Sequence, residues 1–169
     1  MKTWKTLLVP LALAAAWRSR DRALEPPADA VAHCRYGNEA LAWATHKPGT
    51  GHDYFFTTGG PTIELGWGYD GTAACVIGKN RGRYLVSWGW ADPYGGNPEL
   101  RVAVIERGKI INARKAAIGG WEIHPIGVSA LREGGWLIRY QDRDEDPVDT
   151  VRVDRDGNRV RASAGSRDR

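Results

Sequence analysis

Beyond its first seventeen residues the chain lacks the long Ala/Leu/Glu/Lys stretches from which helices are built, which argues against a helical bundle. Cysteine is scarce. Two residues, Cys34 and Cys75, occur in 169, and no Cys-x-x-Cys is present. Zinc-ribbon, c-type haem and thioredoxin-like chemistry therefore have no support. The sequence holds no Gly-x-Ser-x-Gly elbow, His-Glu-x-x-His pair or Walker-type phosphate-binding loop, so familiar hydrolase, metalloprotease and P-loop signatures are missing too. Its one long apolar run, Leu7 to Trp17, has eleven residues. That is about half of what a ~30 Å hydrocarbon core requires, and no transmembrane span is expected. An excess of one charge is also lacking. With 24 basic and 20 acidic side chains the net is +4, and without Lys2 and Lys5 it is 22 against 20, or +2. Arg and Asp alternate in Arg152-Val153-Asp154-Arg155-Asp156 where a nucleic-acid site needs a concentrated basic face, so no nucleic-acid partner is expected.

What is present reads as β structure. There are 21 glycines, and aromatic and β-branched residues are common. At the N-terminus, Met1-Lys2-Thr3-Trp4-Lys5 is a short basic segment ahead of the apolar run, and Ala14-Ala15-Ala16 supplies the small residues that signal peptidases prefer. The expectation is a signal peptide over 1–16, cleavage after Ala16, and a secreted or periplasmic protein. Residues 17–29 are charged and carry Pro26-Pro27, the composition of a linker. Residues 164–169 read as a flexible tail.

Internal repetition organises the rest. Gly59, Gly108 and Gly157 are spaced 49 and 49 apart, each within a turn sequence: Thr58-Gly59-Gly60, Arg107-Gly108-Lys109, Asp156-Gly157-Asn158. Trp43, Trp88 and Tyr140 each close an apolar run upstream, and Pro48, Pro93 and Pro147 follow in polar loops. A third strand precedes each glycine (Tyr54 to Phe56, Leu100 to Ile105, Thr150 to Val153). A fourth follows it (Ile63 to Leu65, Ile110 to Ala113, Val160 to Ala162). The first two strands of each unit meet at Gly37-Asn38, Lys79 to Gly82 and Arg132 to Gly135, and look apolar on both faces. The expected fold is all-β, with three four-stranded antiparallel meander units over 30–163, at about 30–70, 72–119 and 122–163. A β-trefoil is the alternative packing of the same count.

Val128-Ser129-Ala130-Leu131, Gly134 to Tyr140 and Val151 to Asn158 resemble one blade of secreted bacterial β-propeller-type repeat proteins. Arg83 to Trp88 and Val104 to Gly108 resemble the same pattern in the middle unit, and the first unit matches least. The resemblance implies blade architecture and no catalytic signature. Propellers close with four to eight blades. Three units therefore imply completion by another chain, and an oligomer is expected.

Chemistry-bearing groups are few. In an exported protein Cys34 and Cys75 are most simply a disulfide, the alternative being two buried thiols in neighbouring strands. His46 and His52 flank a Pro-Gly turn, with Asp53 adjacent, but zinc needs three or four ligands, so no metal site is expected. Asp142-Arg143-Asp144-Glu145-Asp146 has the rhythm of a calcium loop, yet Pro147 and Val153 occupy the positions an EF-hand gives to Gly and Glu. The aromatic loops are more suggestive. Trp67, Tyr69 and Asp70, then Trp90, Asp92, Tyr94 and Asn97, place flat rings beside carboxylate and amide groups. Such composition serves sugar stacking and protein-binding hot spots alike. No catalytic residue stands out, since Glu64, Asp70, Asp92 and Glu106 offer many carboxylate pairs. The functional expectation is an exported, non-catalytic binding or assembly module without cofactor, its partner another protein chain or a glycan. A lectin-like carbohydrate binder and a secreted glycan hydrolase are the alternatives.

Overall fold

Short runs of β-branched and aromatic residues, punctuated by glycine turns, can bury themselves only by pairing edge to edge and then stacking. The computed structural model, which describes residues 23–49, 51–68, 73–91, 96–120, 122–142 and 146–161, shows this arrangement. A first sheet holds β1 (Ala30–Tyr36), β2 (Ala40–Lys47), β3 (Gly51–Thr57) and β4 (Ile63–Gly68) in sequence order. A second holds β5 (Cys75–Asn80), β6 (Arg83–Trp90), β7 (Glu99–Glu106) and β8 (Lys109–Ile118), again in order. The third has β9 (His124–Ala130), β10 (Trp136–Gln141) and β11 (Asp149–Val153). Every pairing is antiparallel and no sheet closes into a barrel. The described residues contain no helix, hence none long and apolar enough to cross a membrane. The expected leader, 1–16, lies outside them.

The turn chemistry explains the meanders. Gly59, Gly108 and Gly157 each follow the third strand of their sheet with φ of +87°, +74° and +82°, a backbone region that glycine enters without a side-chain clash. The Arg81-Gly82 and Arg107-Gly108 turns have positive φ at both residues, the twist that two-residue hairpins require.

Sheets stack through two cores. Ala40, Ala42, Ala44, Tyr54, Phe56 and Leu65 of the first sheet meet Ile77, Val86, Trp88, Ala103 and Ile105 of the second, with Tyr54 stacked on Trp88 at 5.8 Å. From its opposite face the second sheet sends Leu85, Leu100, Val102 and Val104 against Ile123, Trp136, Ile138, Val151 and Val153. β6 and β7 are thus buried on both faces, which is why Leu100 to Ile105 is apolar almost throughout. β5 packs against both β1 and β9. There the Cys34–Cys75 disulfide joins the first strands of sheets one and two, with Cα atoms 5.8 Å apart. A 41-residue separation so closed stabilises the fold by about 4 kcal/mol on the chain-entropy account.

Two expectations are corrected. The third sheet has three strands. Beyond β11 no fourth strand forms among the described residues: residues 159–161 are tied back to β11 by a Val153–Arg159 bridge and a bond from Val160 N to Arg152 O (2.8 Å), and Ala162 lies outside them. In addition, β1 alternates between exposed and half-buried residues, because only its Ala32 and Cys34 side reaches the first core. On β2, Leu41 and Trp43 alternate to the face away from the second sheet, and Trp43 stacks on Phe55 at 5.6 Å. Chain ahead of β1 reaches the first sheet as well: Glu25 pairs with Arg35 at 3.9 Å, and Leu24 stands 3.4 Å from where a Cβ on Gly59 would be.

Candidate functional site

At one end of the boundary between the first two sheets, hairpin register gathers an aromatic and charged group. Trp90 at the end of β6 lies opposite Glu99 at the start of β7, and Trp88 lies opposite Arg101. Directly opposed residues share a sheet face, so Trp90, Glu99 and Arg101 stand together. The Arg101 guanidinium carbon is 4.1 Å from the Trp90 ring centroid, a cation–π geometry. Its Nε donates to Glu99 at 3.2 Å, and Lys115 Nζ from β8 reaches the other Glu99 oxygen at 2.8 Å. Glu99 is consequently a mostly buried carboxylate between two cations, with 14 % of its side chain exposed. From the end of β4 in the first sheet, Trp67 sets its ring edge-on to Trp90, with centroids 5.6 Å apart and planes at 67°. Both indoles are half-buried. The Trp90 indole N–H is buried with no acceptor among the described residues.

The structure therefore brings together Trp67 and Trp90 from the expected surface. Asn97, two residues before Glu99, is exposed on the approach to β7. Tyr69, Asp70, Asp92 and Tyr94 lie outside the described residues. Arg101, Glu99 and Lys115 were not anticipated from sequence. Their signal was available in the period-two spacing of Glu99 and Arg101 on a strand that pairs with the one carrying Trp90, but it needed the register.

The other candidates are placed plainly. His46 and His52 face each other across β2 and β3 with ring centroids 5.9 Å apart, and Asp53 instead pairs with Lys47 at 3.3 Å. No group of three metal-ligating side chains exists among the described residues. Asp142 accepts a bond from Gly120 N at 2.6 Å while its carbonyl accepts Glu122 N, so it ties down the approach to β9. Glu64 is exposed on β4, whereas Glu106 is bonded to Arg83 at 3.3 Å. Gly66, Gly68 and Gly71 have the spacing of a dinucleotide-binding turn, but that motif must open a helix, and the described residues have none.

Titration behaviour follows local geometry. Burial pushes the Tyr54 phenol up to about 12 against a hydrogen bond from the Ala74 backbone. Hydrogen bonds from Lys79 and Tyr84 hold the Glu39 carboxyl below its usual range. Burial disfavours the Asp154 carboxylate, but the Asn158 side chain and the Asn158 and Asp156 backbone outweigh it and leave its pKa lowered.

Comparison with protein-family models, curated proteins and solved structures gives no match for this chain.

Proposed function

We propose that this chain is an exported, non-catalytic assembly module of β-propeller-like blades, and that it binds another protein chain at the Trp67–Trp90–Arg101 edge. One observation carries the reading: two half-buried indoles and an arginine, drawn from two sheets, are pre-packed on each other at the surface. Trp and Arg are the side chains that dominate protein-binding hot spots, and prior packing lowers the entropy lost on association. The same geometry weighs against a lectin. Sugar stacking needs an open ring face, while Trp90 has Arg101 over its ring and Trp67 beside it. The edge carries both charge signs in Lys115, Glu99 and Arg101, so a second copy related by a twofold axis is a complementary partner. Blade-like stacking agrees with self-association, since two copies would supply six sheets, a number within the range of closed rings.

A glycan array run beside size-exclusion chromatography tests the reading. The expected result is no glycan binding and a concentration-dependent shift toward a larger species that Trp67→Ala and Arg101→Ala remove. A monomer that binds a glycan would replace it with the lectin reading.

A further inference from the structure

A separate cleft lies at the boundary between the second and third sheets, where the β5–β6 turn meets the β9–β10 turn. Its volume is about 150 Å³, and Arg81, Arg83, Arg155, Glu106, Gly135 and Trp136 line it. Its walls are held independently of any ligand. Asn80 Nδ2 donates to Leu131 O at 2.9 Å and Gly135 O at 2.7 Å, binding the two turns together.

Charge inside the cleft does not balance. Arg83 is committed, donating to Glu106 at 3.3 Å, to Asp156 at 2.7 Å and to the Arg155 carbonyl at 3.0 Å. Arg81 uses one nitrogen, on Arg132 O at 2.7 Å. Arg155 has only a 3.8 Å approach to Asp156, with 70 % of its side chain exposed. Three guanidinium groups thus face two carboxylates. Each carries five N–H donors in a planar fork, so most donors on Arg81 and Arg155 remain available. Trp136 also lines the cleft. It is fully buried, and its indole N–H has no acceptor among the described residues. Surplus positive charge in one small cleft asks for an acceptor that carries negative charge. The volume suits a group of a few heavy atoms and is well below the ~300 Å³ at which drug-sized pockets begin.

We propose that this cleft binds a small oxyanion, a phosphate or carboxylate group, held by the guanidinium groups of Arg81 and Arg155 beside Trp136. Such a ligand would bridge the second sheet to the third. Titration of ¹⁵N-labelled protein at constant ionic strength, with inorganic phosphate and separately with malonate, follows the Trp136 indole cross-peak directly. A saturable shift of that peak is expected, with affinity reduced about tenfold or more in Arg155→Ala, whose guanidinium approaches only the Asp156 carboxylate among the described residues. Saturation by phosphate alone marks a phosphate site, and saturation by malonate as well marks one that also admits a carboxylate-bearing peptide or metabolite. A linear shift equal in wild type and Arg155→Ala would be general charge screening and would overturn the proposal. Arg81→Ala guards against a folding failure in the first variant, and its loss of saturation with an unchanged melt supports the same conclusion.

Discussion

Replacing Gly89 with alanine probes the point at which all three sheets converge. Gly89 is on β6, with the end of β4 on one side and the approach to β9 on the other. A Cβ at Gly89 would fall on the carbonyl oxygen of Ile123, far inside the 3.0 Å that real Cβ atoms keep, and 3.4 Å from its carbonyl carbon. On the opposite flank, a Cβ at Gly68 would come within 2.6 Å of the Gly89 oxygen. Because the obstacle is backbone, no rotamer change relieves it, and the sheets must move apart. Overpacking of this kind costs about 3 kcal/mol at the upper end of its usual range. Alanine returns about 0.5–1 kcal/mol by restricting the unfolded chain. The expected loss is therefore about 2 kcal/mol, or roughly 4–8 °C in melting temperature for a chain of this size. Gly82→Ala is the control. Its φ is +80° with nothing within 4 Å, so it carries only left-handed strain of about 1 kcal/mol. Melts followed by circular dichroism would compare the two. If Gly89→Ala left the melt unchanged or raised it, the close approach of the sheets at this residue would be wrong.

Other perturbations have equally definite signs. Replacing Cys34 and Cys75 with serine should lower stability by about 4 kcal/mol in denaturant titration, while a difference below about 1 kcal/mol would indicate that the first two sheets stay joined without the bridge. The Tyr54 phenol titrates higher in the folded than in the unfolded chain. The folded state therefore holds its proton longer between about pH 10 and 12, and stability falls as pH rises through that window. Tyr54→Phe should flatten that alkaline loss, and an unchanged slope would count against the burial of the phenol. Asp154 has the opposite sense. Its lowered pKa gives stability present above the ordinary aspartate range and lost as pH falls through the folded value. Asp154→Ala also strips acceptors from the backbone N–H groups of Asp156 and Asn158, and should cost about 1 kcal/mol at neutral pH and less in acid. A penalty independent of pH would refute the role of the charge.

Much of the fold was legible because local rules and tertiary packing agree. The glycine period marks three positive-φ turns, and the strands either side of Gly59 and Gly108 lie where the apolar runs put them. The middle unit reads most clearly, since burial on both faces leaves a nearly continuous apolar run at Leu100 to Ile105. The fourth strand of the last unit did not appear as a strand among the described residues. Arg159, Val160 and Arg161 offer little apolar surface to bury, and they are tied back to β11 by a bridge and a hydrogen bond without forming a strand. The site was legible in part. Trp67 and Trp90 stood outside the register of the core aromatics, but the arginine over Trp90 and the double anchoring of Glu99 depend on the pairing of β6, β7 and β8. The cleft at Trp136 was invisible in sequence, because Arg155 is far along the chain from Arg81 and Arg83 and meets them only when the sheets stack.

Sedimentation velocity of the chain over a micromolar concentration series is the most direct test of the assembly reading. Wild type should shift from the mass of one chain toward twice that mass as concentration rises, and Arg101→Ala, with its melt preserved, should remain at one. A wild-type chain that stays monomeric throughout the series, with a single cooperative melt, would contradict self-assembly at the Trp67–Trp90 edge.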